Sequence, residues 1–320
     1  MTSQTDADHA VIDRLNYFHG ILPREDAEAL LTCEGSFLVR QSYTKGHEDV
    51  IVSVRWKNSN LHFPVSVNQS FALGKTLRFD SVQTLITNYW RRRPNHYDSL
   101  ADREPPKLLC PIVRPAWNLR PEWLTKTRLL EERPGLSQVW LGQLRRSADQ
   151  APHPVTIQLS LANSPSSINR LMTTARLNRL LDNQHILPCL GVQCLFQPVA
   201  LVSSFCAEYN LVNFWKSRRP HDISETQRVK FGLEAAKALH YITGKDILHC
   251  RVAANNCMID GRPGRYRLRL SNFHFANKGP LHKLTADDLV AKRWAAPELL
   301  YTDRVRIATV KSERWQKMHY

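Results

Sequence analysis

The sequence predicts an α+β protein of two domains, and three observations lead there. In the N-terminal third, apolar residues recur at helical spacing in some segments and alternate with polar ones in others. A proline-dense break follows, opening with Arg103-Glu104-Pro105-Pro106 and continuing through Pro111, Pro115 and Pro121. Beyond it a short strand-like segment gives way to longer helical ones. Proline at this density ends helices and stiffens a connection. The expected organisation is a disordered tail over 1–13, a first domain over 14–113, a linker over 114–121 and a second domain over 122–320.

The elements of the first domain can be justified in order. Arg24 to Leu31 places Ala27, Leu30 and Leu31 on one helical face. Val50, Val52 and Val54 alternate as a half-buried strand, and Leu61, Phe63, Val65 and Val67 do the same. Pro64 removes a ladder donor, so a bulge or a sheet edge is expected there. Ser81 has the character of an N-cap, with Val82, Leu85, Ile86 and Tyr89 at helical spacing behind it. Helix, strands, then helix reads as a central antiparallel sheet between two helices. In the second domain, Val155 to Leu159 reads as a strand, and Leu171–Leu181 and Gln227–Ile242 as helices.

Composition narrows the function classes. A chain of 320 residues can bury two or three cores. Its net charge of +15 implies attraction to an acidic partner: nucleic acid, anionic lipid or phosphorylated protein. The seven cysteines form an odd set without a C-x-x-C pair, which argues against a disulfide framework and a structural zinc site. Met1 to His9 is polar, Met1-Thr2-Ser3 lacks the glycine that myristoylation needs, and no apolar run of about 18 residues occurs. A cytoplasmic protein is expected, recruited to the inner face of the plasma membrane when its partners lie there.

One strand carries a conflict. In Gly35-Ser36-Phe37-Leu38-Val39-Arg40-Gln41-Ser42, Phe37 and Val39 point one way, Arg40 and Ser42 the other. An arginine in so apolar a strand must find an anion or reach solvent, because an unpaired buried charge is costly. A guanidinium fork beside a hydroxyl suits a dianionic phosphate. A structural ion pair with a carboxylate is the competing account.

Here the chain resembles the SH2 family. Tyr17-Phe18-His19-Gly20 looks like its opening W-[FY]-H-G, and Phe37 to Ser42 like F-L-V-R-x-S. His62-Phe63 looks like the histidine-aromatic pair, and Phe79 to Tyr89 like the second helix. The resemblance implies that Arg40 grips phosphotyrosine bidentately with Arg24 as a second cation. It implies that Ser42 and the loop carrying Thr44 and Lys45 close over the phosphate. His62 would pack on the phosphotyrosine ring, and Phe63 would shape the pocket for the residues after it.

The second domain resembles tyrosine kinases. Leu190-Gly191-Val192 looks like L-x-G-V, His249 to Cys257 like H-R-D-L-A-A-R-N-C, and Arg293 to Glu298 like K-W-T-A-P-E. A linker running directly from SH2 to kinase is most similar to the Fes/Fer branch. Lys311 to Trp315 looks like K-S-D-V-W at the start of the central large-lobe helix, and Tyr320 ends the sequence soon after, so an incomplete large lobe of a bilobed kinase-like domain is expected.

Phosphoryl transfer needs a glycine loop, a lysine–glutamate pair, a catalytic base and metal ligands. Aligned on the family's motifs, Glu132, Pro134 and Ser137 stand for the three loop glycines. Gln158 stands for the lysine and Thr174 for the glutamate. Cys250 and Arg251 replace the arginine and aspartate of H-R-D, and a guanidinium cannot accept a proton at neutral pH. Asn272 replaces the metal-binding aspartate, leaving Asn256 as the surviving ligand. No tyrosine lies between Phe273 and Pro297.

The sequence therefore reads as a phosphotyrosine-binding adaptor with a pseudokinase domain, lacking catalytic and metal-binding residues. Its expected partners are tyrosine-phosphorylated proteins, with an active kinase or an acidic membrane surface as further candidates. The alternative is an active ATP- and Mg²⁺-dependent protein tyrosine kinase, and no cofactor is expected otherwise. Nucleic acid is not expected, because only the charge would support it.

Overall fold

The computed structural model describes residues 15–44, 47–67, 70–71, 78–91, 106–162, 164–219, 222–284, 293–300 and 306–317. The expected tail over 1–13 lies outside them. Two compact units are present. The first comprises Met1–Glu122, Ser160–Ile168 and Val192–Ala200, and the second Trp123–Leu159, Asn169–Gly191 and Leu201–Tyr320.

The first unit contains β1 (Phe18–Ile21), α1 (Arg24–Leu30), β2 (Ser36–Thr44), β3 (His47–Trp56) and β4 (Ser59–Pro64). After these come β5 (Ser66–Val67), β6 (Ser70–Phe71), α2 (Val82–Arg91) and β7 (Cys110–Pro111). Its main sheet runs β1–β2–β3–β4, with β7 added to β2. The β2–β3 and β3–β4 pairs are antiparallel, whereas β1 and β7 run parallel to β2. Pro64 is the last residue of β4, an end strand in that order, where its missing N–H costs least. Ser81 caps α2 by accepting from the backbone N–H of Thr84 at 3.1 Å. Val82, Leu85 and Ile86 are then buried against Phe37, Val39, Val52 and Val54.

Leu195 belongs to this same core, and Phe196 packs against it. The chain near Cys194 lies close to β1. Ile21 N–H donates to the Cys194 carbonyl at 2.6 Å, and the His19 carbonyl accepts from Asn118 Nδ2 at 3.1 Å. Gly20 lies between, at φ +70°, and a Cβ there would sit 2.2 Å from the Cys194 oxygen. Only glycine meets both demands.

The second unit holds β8 (Leu124–Arg133), β9 (Ser137–Leu144) and most of β10 (His153–Ser160), α3 (Pro165–Asn178), β11 (Cys189–Gln193) and β12 (Ala200–Ser204). Its strands are ordered β11–β12–β10–β9–β8. Helices α4 (Leu211–Lys216) and α5 (Glu225–Thr243) follow. The remaining strands are β13 (Ile247–Leu248), β14 (Cys257–Asp260), β15 (Arg267–Leu270), β16 (Asn277–Lys278), β17 (Leu281–Lys283) and β18 (Ile307–Thr309), ahead of α6 (Val310–Lys317).

Helix α3 starts earlier and ends earlier than the apolar spacing suggests. Ser164 accepts from the N–H of Ser167 at 3.3 Å, and Pro165 takes the first helical position. That polar first turn carries no apolar period, so periodicity alone overlooks it. Helix α5 buries Phe231, Ala235, Ala238, Leu239 and Ile242 along one face. Phe214 meets Phe231 and Tyr266 edge-on, with centroids 5.7 and 4.9 Å away. This core supports the 249–257 loop from beneath, through Val252, Ala254 and Cys257.

Candidate functional site

The first unit buries the polar side chains of Arg40 and Ser53 within its sheet. Phe37 and Val39 on β2 face the α2 core, which turns Arg40 to the opposite face, where it is only 3% exposed. On β3 the odd member between Val52 and Val54 is Ser53, which pairs with Leu38 on one side and His62 on the other. Ser53 therefore stands between the arginine and the histidine.

A continuous hydrogen-bonded chain results. Arg40 Nε donates to Ser53 Oγ at 3.1 Å, and Arg40 Nη1 donates to the Leu22 carbonyl at 3.0 Å. Ser53 Oγ lies 2.9 Å from His62 Nδ1, and His62 Nε2 lies 3.0 Å from Glu28 Oε1. Arg24 Nε donates to the same Glu28 oxygen at 2.7 Å, one turn away on α1. A carboxylate can only accept, so Nε2 carries the proton. Nδ1 then accepts from the Ser53 hydroxyl, whose oxygen still accepts from Arg40. Every link has one donor and one acceptor.

The electrostatics fit this assignment. Burial pushes the His62 imidazole below its usual value, and the Arg40 and Arg24 charges push the same way, against the Glu28 bond. His62 is thus mostly neutral at pH 7, and its contact with Glu28 is a hydrogen bond more than an ion pair. The Arg24 and His62 bonds hold Glu28 below the ordinary carboxylate range. Burial, then Arg24, brings Arg40 down to about 10, still fully protonated at pH 7. Arg40 pairs with no carboxylate among the described residues, so the competing ion-pair account of its burial finds no partner there.

The other candidates distribute as follows. Ser42 is two residues beyond Arg40 on β2 and half-buried. Thr44 ends β2, with only its backbone described, and Lys45 lies outside the described residues. Phe63 pairs with Val52 and packs on the α2 core, on the sheet face away from Arg40. Ser53 and Glu28 are the members to which the family resemblance assigns no role. The alternation of Val50, Val52 and Val54 does put Ser53 on the Arg40 face, and that signal is readable.

In the second unit three of the degenerate positions, Arg251, Asn256 and Asn272, are bonded to one another. In the β8–β9 hairpin Glu132 pairs with Gln138 and Ser137 with Arg133, with Gln138 Nε2 donating to Glu132 Oε1 at 2.7 Å and Pro134 at the turn. Gln158 is half-buried on β10. Thr174 bonds back to the Arg170 carbonyl of its own helix at 3.3 Å. Asn256 Nδ2 donates to the Arg251 carbonyl, and Asn256 Oδ1 accepts from Asn272 Nδ2, both at 2.8 Å. Asn272 has φ +66° and Cys250 φ +62°, a region asparagine tolerates better than cysteine. Cys250 is held there by its N–H, which donates to Glu313 Oε1 of α6 at 2.7 Å.

Comparison with known proteins places these two regions. The SH2 domain profile matches residues 17–89, and the protein tyrosine and serine/threonine kinase profile matches residues 134–316, more than half of the chain. Spermatocyte protein spe-8 of Caenorhabditis elegans is 26% identical over 293 residues, covering 90% of this chain and 55% of the relative. Fer-related kinase 1 of the same organism is 26% identical over 305 residues, covering 93% of this chain and 74% of its own length. Tyrosine-protein kinase Fer of Rattus norvegicus is 25% identical over 289 residues, covering 89% and 33%. This chain spans about half the length of the spe-8 proteins that it matches.

Proposed function

Because the chain belongs to the protein tyrosine and serine/threonine kinase family and carries an SH2 domain ahead of its kinase-like part, we propose that it is a phosphotyrosine-recruited signalling binder that transfers no phosphate. The observation that carries this reading is the buried Arg40, oriented by Ser53 and Leu22 and lacking a carboxylate partner among the described residues. Two of its three nitrogens are pinned, which fixes the plane of the guanidinium. Nη2 and the second Nη1 proton remain to grip two phosphate oxygens. The neutral His62 beside it presents a ring to the phosphotyrosine, and Phe63 on the other sheet face meets the following residues.

The kinase-like part supports the negative half of the proposal. No carboxylate stands at the aspartate positions, and Asn256 spends both ends of its amide on Arg251 and Asn272. Such a donor set does not fit magnesium, which wants hard anionic oxygens. Thr174 bonds its own helix, so nothing there can pair a cation at 158. We place the protein in the cytoplasm on its partners' chemistry; among the described residues no helix is long and apolar enough to cross a membrane.

The test is titration of a tyrosine-phosphorylated peptide against the parent chain and Arg40→Ala, alongside a phosphate-transfer assay with Mg·ATP. Loss of a buried charge-assisted contact should weaken binding by about 2–5 kcal/mol. Affinities within about threefold of each other would remove Arg40 from the site. Phosphate transfer that vanishes in Asn256→Ala would establish the chain as a working kinase.

A further inference from the structure

A cleft of about 760 Å³ opens in the second unit, between the turn at 183–185 and the C-terminal half of α5. None of the degenerate kinase positions lines it. Lys237, His240 and Tyr241 of α5 contribute, with Lys245 just past the helix end, while Gln184 and His185 close it from the turn. Each of these six side chains can donate a hydrogen bond, and no aspartate or glutamate lines the cleft. Its walls are tied together. Asp182 N–H donates to the Tyr241 hydroxyl at 3.1 Å, which joins the turn to the helix. His185 N–H donates to Asn183 Oδ1 at 2.8 Å, and the His185 carbonyl accepts from Leu270 N–H at 2.8 Å. Gly244 and Lys245 N–H donate to the His240 and Ile242 carbonyls, both at 3.0 Å.

The cleft is positive, and its charge is available. Lys237 and Lys245 are exposed, and neither forms an ion pair among the described residues. Lys245 Nζ lies 6.0 Å from the centroid of the Tyr241 ring. Burial first lowers the His185 imidazole, and Lys237 and Arg267 lower it further against Glu234. Glu234 is itself committed, accepting from Leu268 N–H at 2.7 Å. Asp182 and Asp246 are exposed neighbours in sequence that lie outside the lining. A concave surface of one sign concentrates ligands of the other. Lys237, Tyr241 and Lys245 recur every fourth residue, which sets the roots of the two lysines about 12 Å apart along the axis. An extended peptide, rising about 3.3 Å per residue, matches that spacing with carboxylates four positions apart. A single phosphate would have to draw both lysines off their positions, Lys245 from Tyr241 included.

We propose that this cleft docks an acidic, unphosphorylated peptide segment of a partner protein, held by Lys237 and Lys245 with Tyr241 between them. This goes beyond phosphotyrosine recognition, because the kinase-like unit gains a contact that is independent of Arg40. A partner carrying both a phosphotyrosine and an acidic stretch would engage the chain twice.

The experiment titrates the full chain, by fluorescence anisotropy, against a dye-labelled glycine-serine peptide with glutamate at every fourth position. A second peptide carries the same glutamates in one contiguous run. The spaced peptide should bind more tightly by about threefold. Lys237→Gln with Lys245→Gln should weaken it by about fivefold, the loss of two exposed charge contacts. Lys126→Gln with Lys278→Gln removes the same charge from exposed positions elsewhere and should change affinity by less than about twofold. Ala236→Glu, which sets a carboxylate in the lining, should weaken binding at least as much as the cleft pair. Arg40→Ala should leave it unchanged. Equal affinity for the two peptides, or equal losses in the two lysine pairs, would reduce the attraction to diffuse charge and overturn the proposal. Failure of both peptides to bind would overturn it too, and the phosphotyrosine reading would stand in each of these cases. Dependence on Arg40 would move the peptide to the SH2 site and likewise defeat the proposal. Retention on phosphatidylserine vesicles that disappears in the cleft pair, without peptide binding, would assign the cleft to lipid instead.

Discussion

Glu28 Oε1 is shared between Arg24 and His62, 2.7 Å from Arg24 Nε and 3.0 Å from His62 Nε2. One carboxylate oxygen thus occupies the space between the second cation and the histidine of the candidate phosphate site. An incoming phosphate must draw Arg24 away from it, and a carboxylate beside a dianion adds repulsion. Glu28→Gln should therefore tighten phosphopeptide binding by about fivefold, the scale of one exposed ion pair. Calorimetric titration of the variant and of the Arg24→Ala, Glu28→Gln double variant checks it. Weaker binding by the single variant would mean that Glu28 orients Arg24 for the phosphate.

Glu313 offers a pH-dependent test in the second unit. Burial lifts its carboxyl to about 7, against the N–H bonds from Cys250 and His249. The fold thus prefers the neutral acid. Its contribution is complete below the ordinary value of 4.5 and is lost as pH rises through about 7. The full swing is about 3 kcal/mol. Glu313→Gln keeps an acceptor oxygen and has no charge to bury. Its stability relative to the parent should rise by that amount between pH 4.5 and 8, as measured by urea unfolding. A difference that stays level with pH would contradict the buried-carboxyl account.

Gly20→Ala should destabilise the first unit. The new methyl would meet the Cys194 oxygen at 2.2 Å, and φ +70° is a strained region for alanine. The nearest atoms are all backbone of Cys194 and Leu195, so no side chain can yield. The combined strain should cost about 3 kcal/mol or more. A denaturation midpoint equivalent to less than about 0.5 kcal/mol of change would show that the chain at 194 moves aside freely.

Restoring Gln158→Lys, Arg251→Asp and Asn272→Asp together should not yield a kinase. Alignment on the family's motifs gives the new lysine Thr174 as its counterpart, whose hydroxyl already bonds the Arg170 carbonyl at 3.3 Å. The phosphate loop would remain a closed hairpin with Glu132 tied to Gln138 at 2.7 Å. Catalysis of this type depends on position and preorganised charge, which three side chains cannot supply alone. Phosphorylation of a tyrosine-containing polymer should stay at the level of a mock preparation; clear turnover would trace the silencing to those three positions.

The local features of this chain are readable in its residues, because they depend on neighbours in sequence. The Ser81 cap, the alternation through Val50 and Val54, and the outward turn of Arg40 from Phe37 and Val39 are of that kind. Pro64 predicts an edge, and an end strand is what it closes. Less accessible is whatever depends on strand register. Ser53 becomes the link between Arg40 and His62 only once β3 lies between β2 and β4. Glu28 enters through the tilt of α1 over that sheet, which no spacing encodes. The Ser164-Pro165 start of α3 was available as a capping signal but lies outside the apolar period.

Leu195 and Phe196 pack with Tyr17, Phe18 and Phe37, although their sequence neighbours from 134 to 316 match the kinase profile. Modularity in this chain is thus a property of space and not of linear order. A cassette cut at the prolines would leave behind two of the hydrophobic side chains that complete its interior. Transplanting the phosphotyrosine-recognition part into another protein would require a surrogate for that borrowed strip, and recombination within the family faces the same constraint.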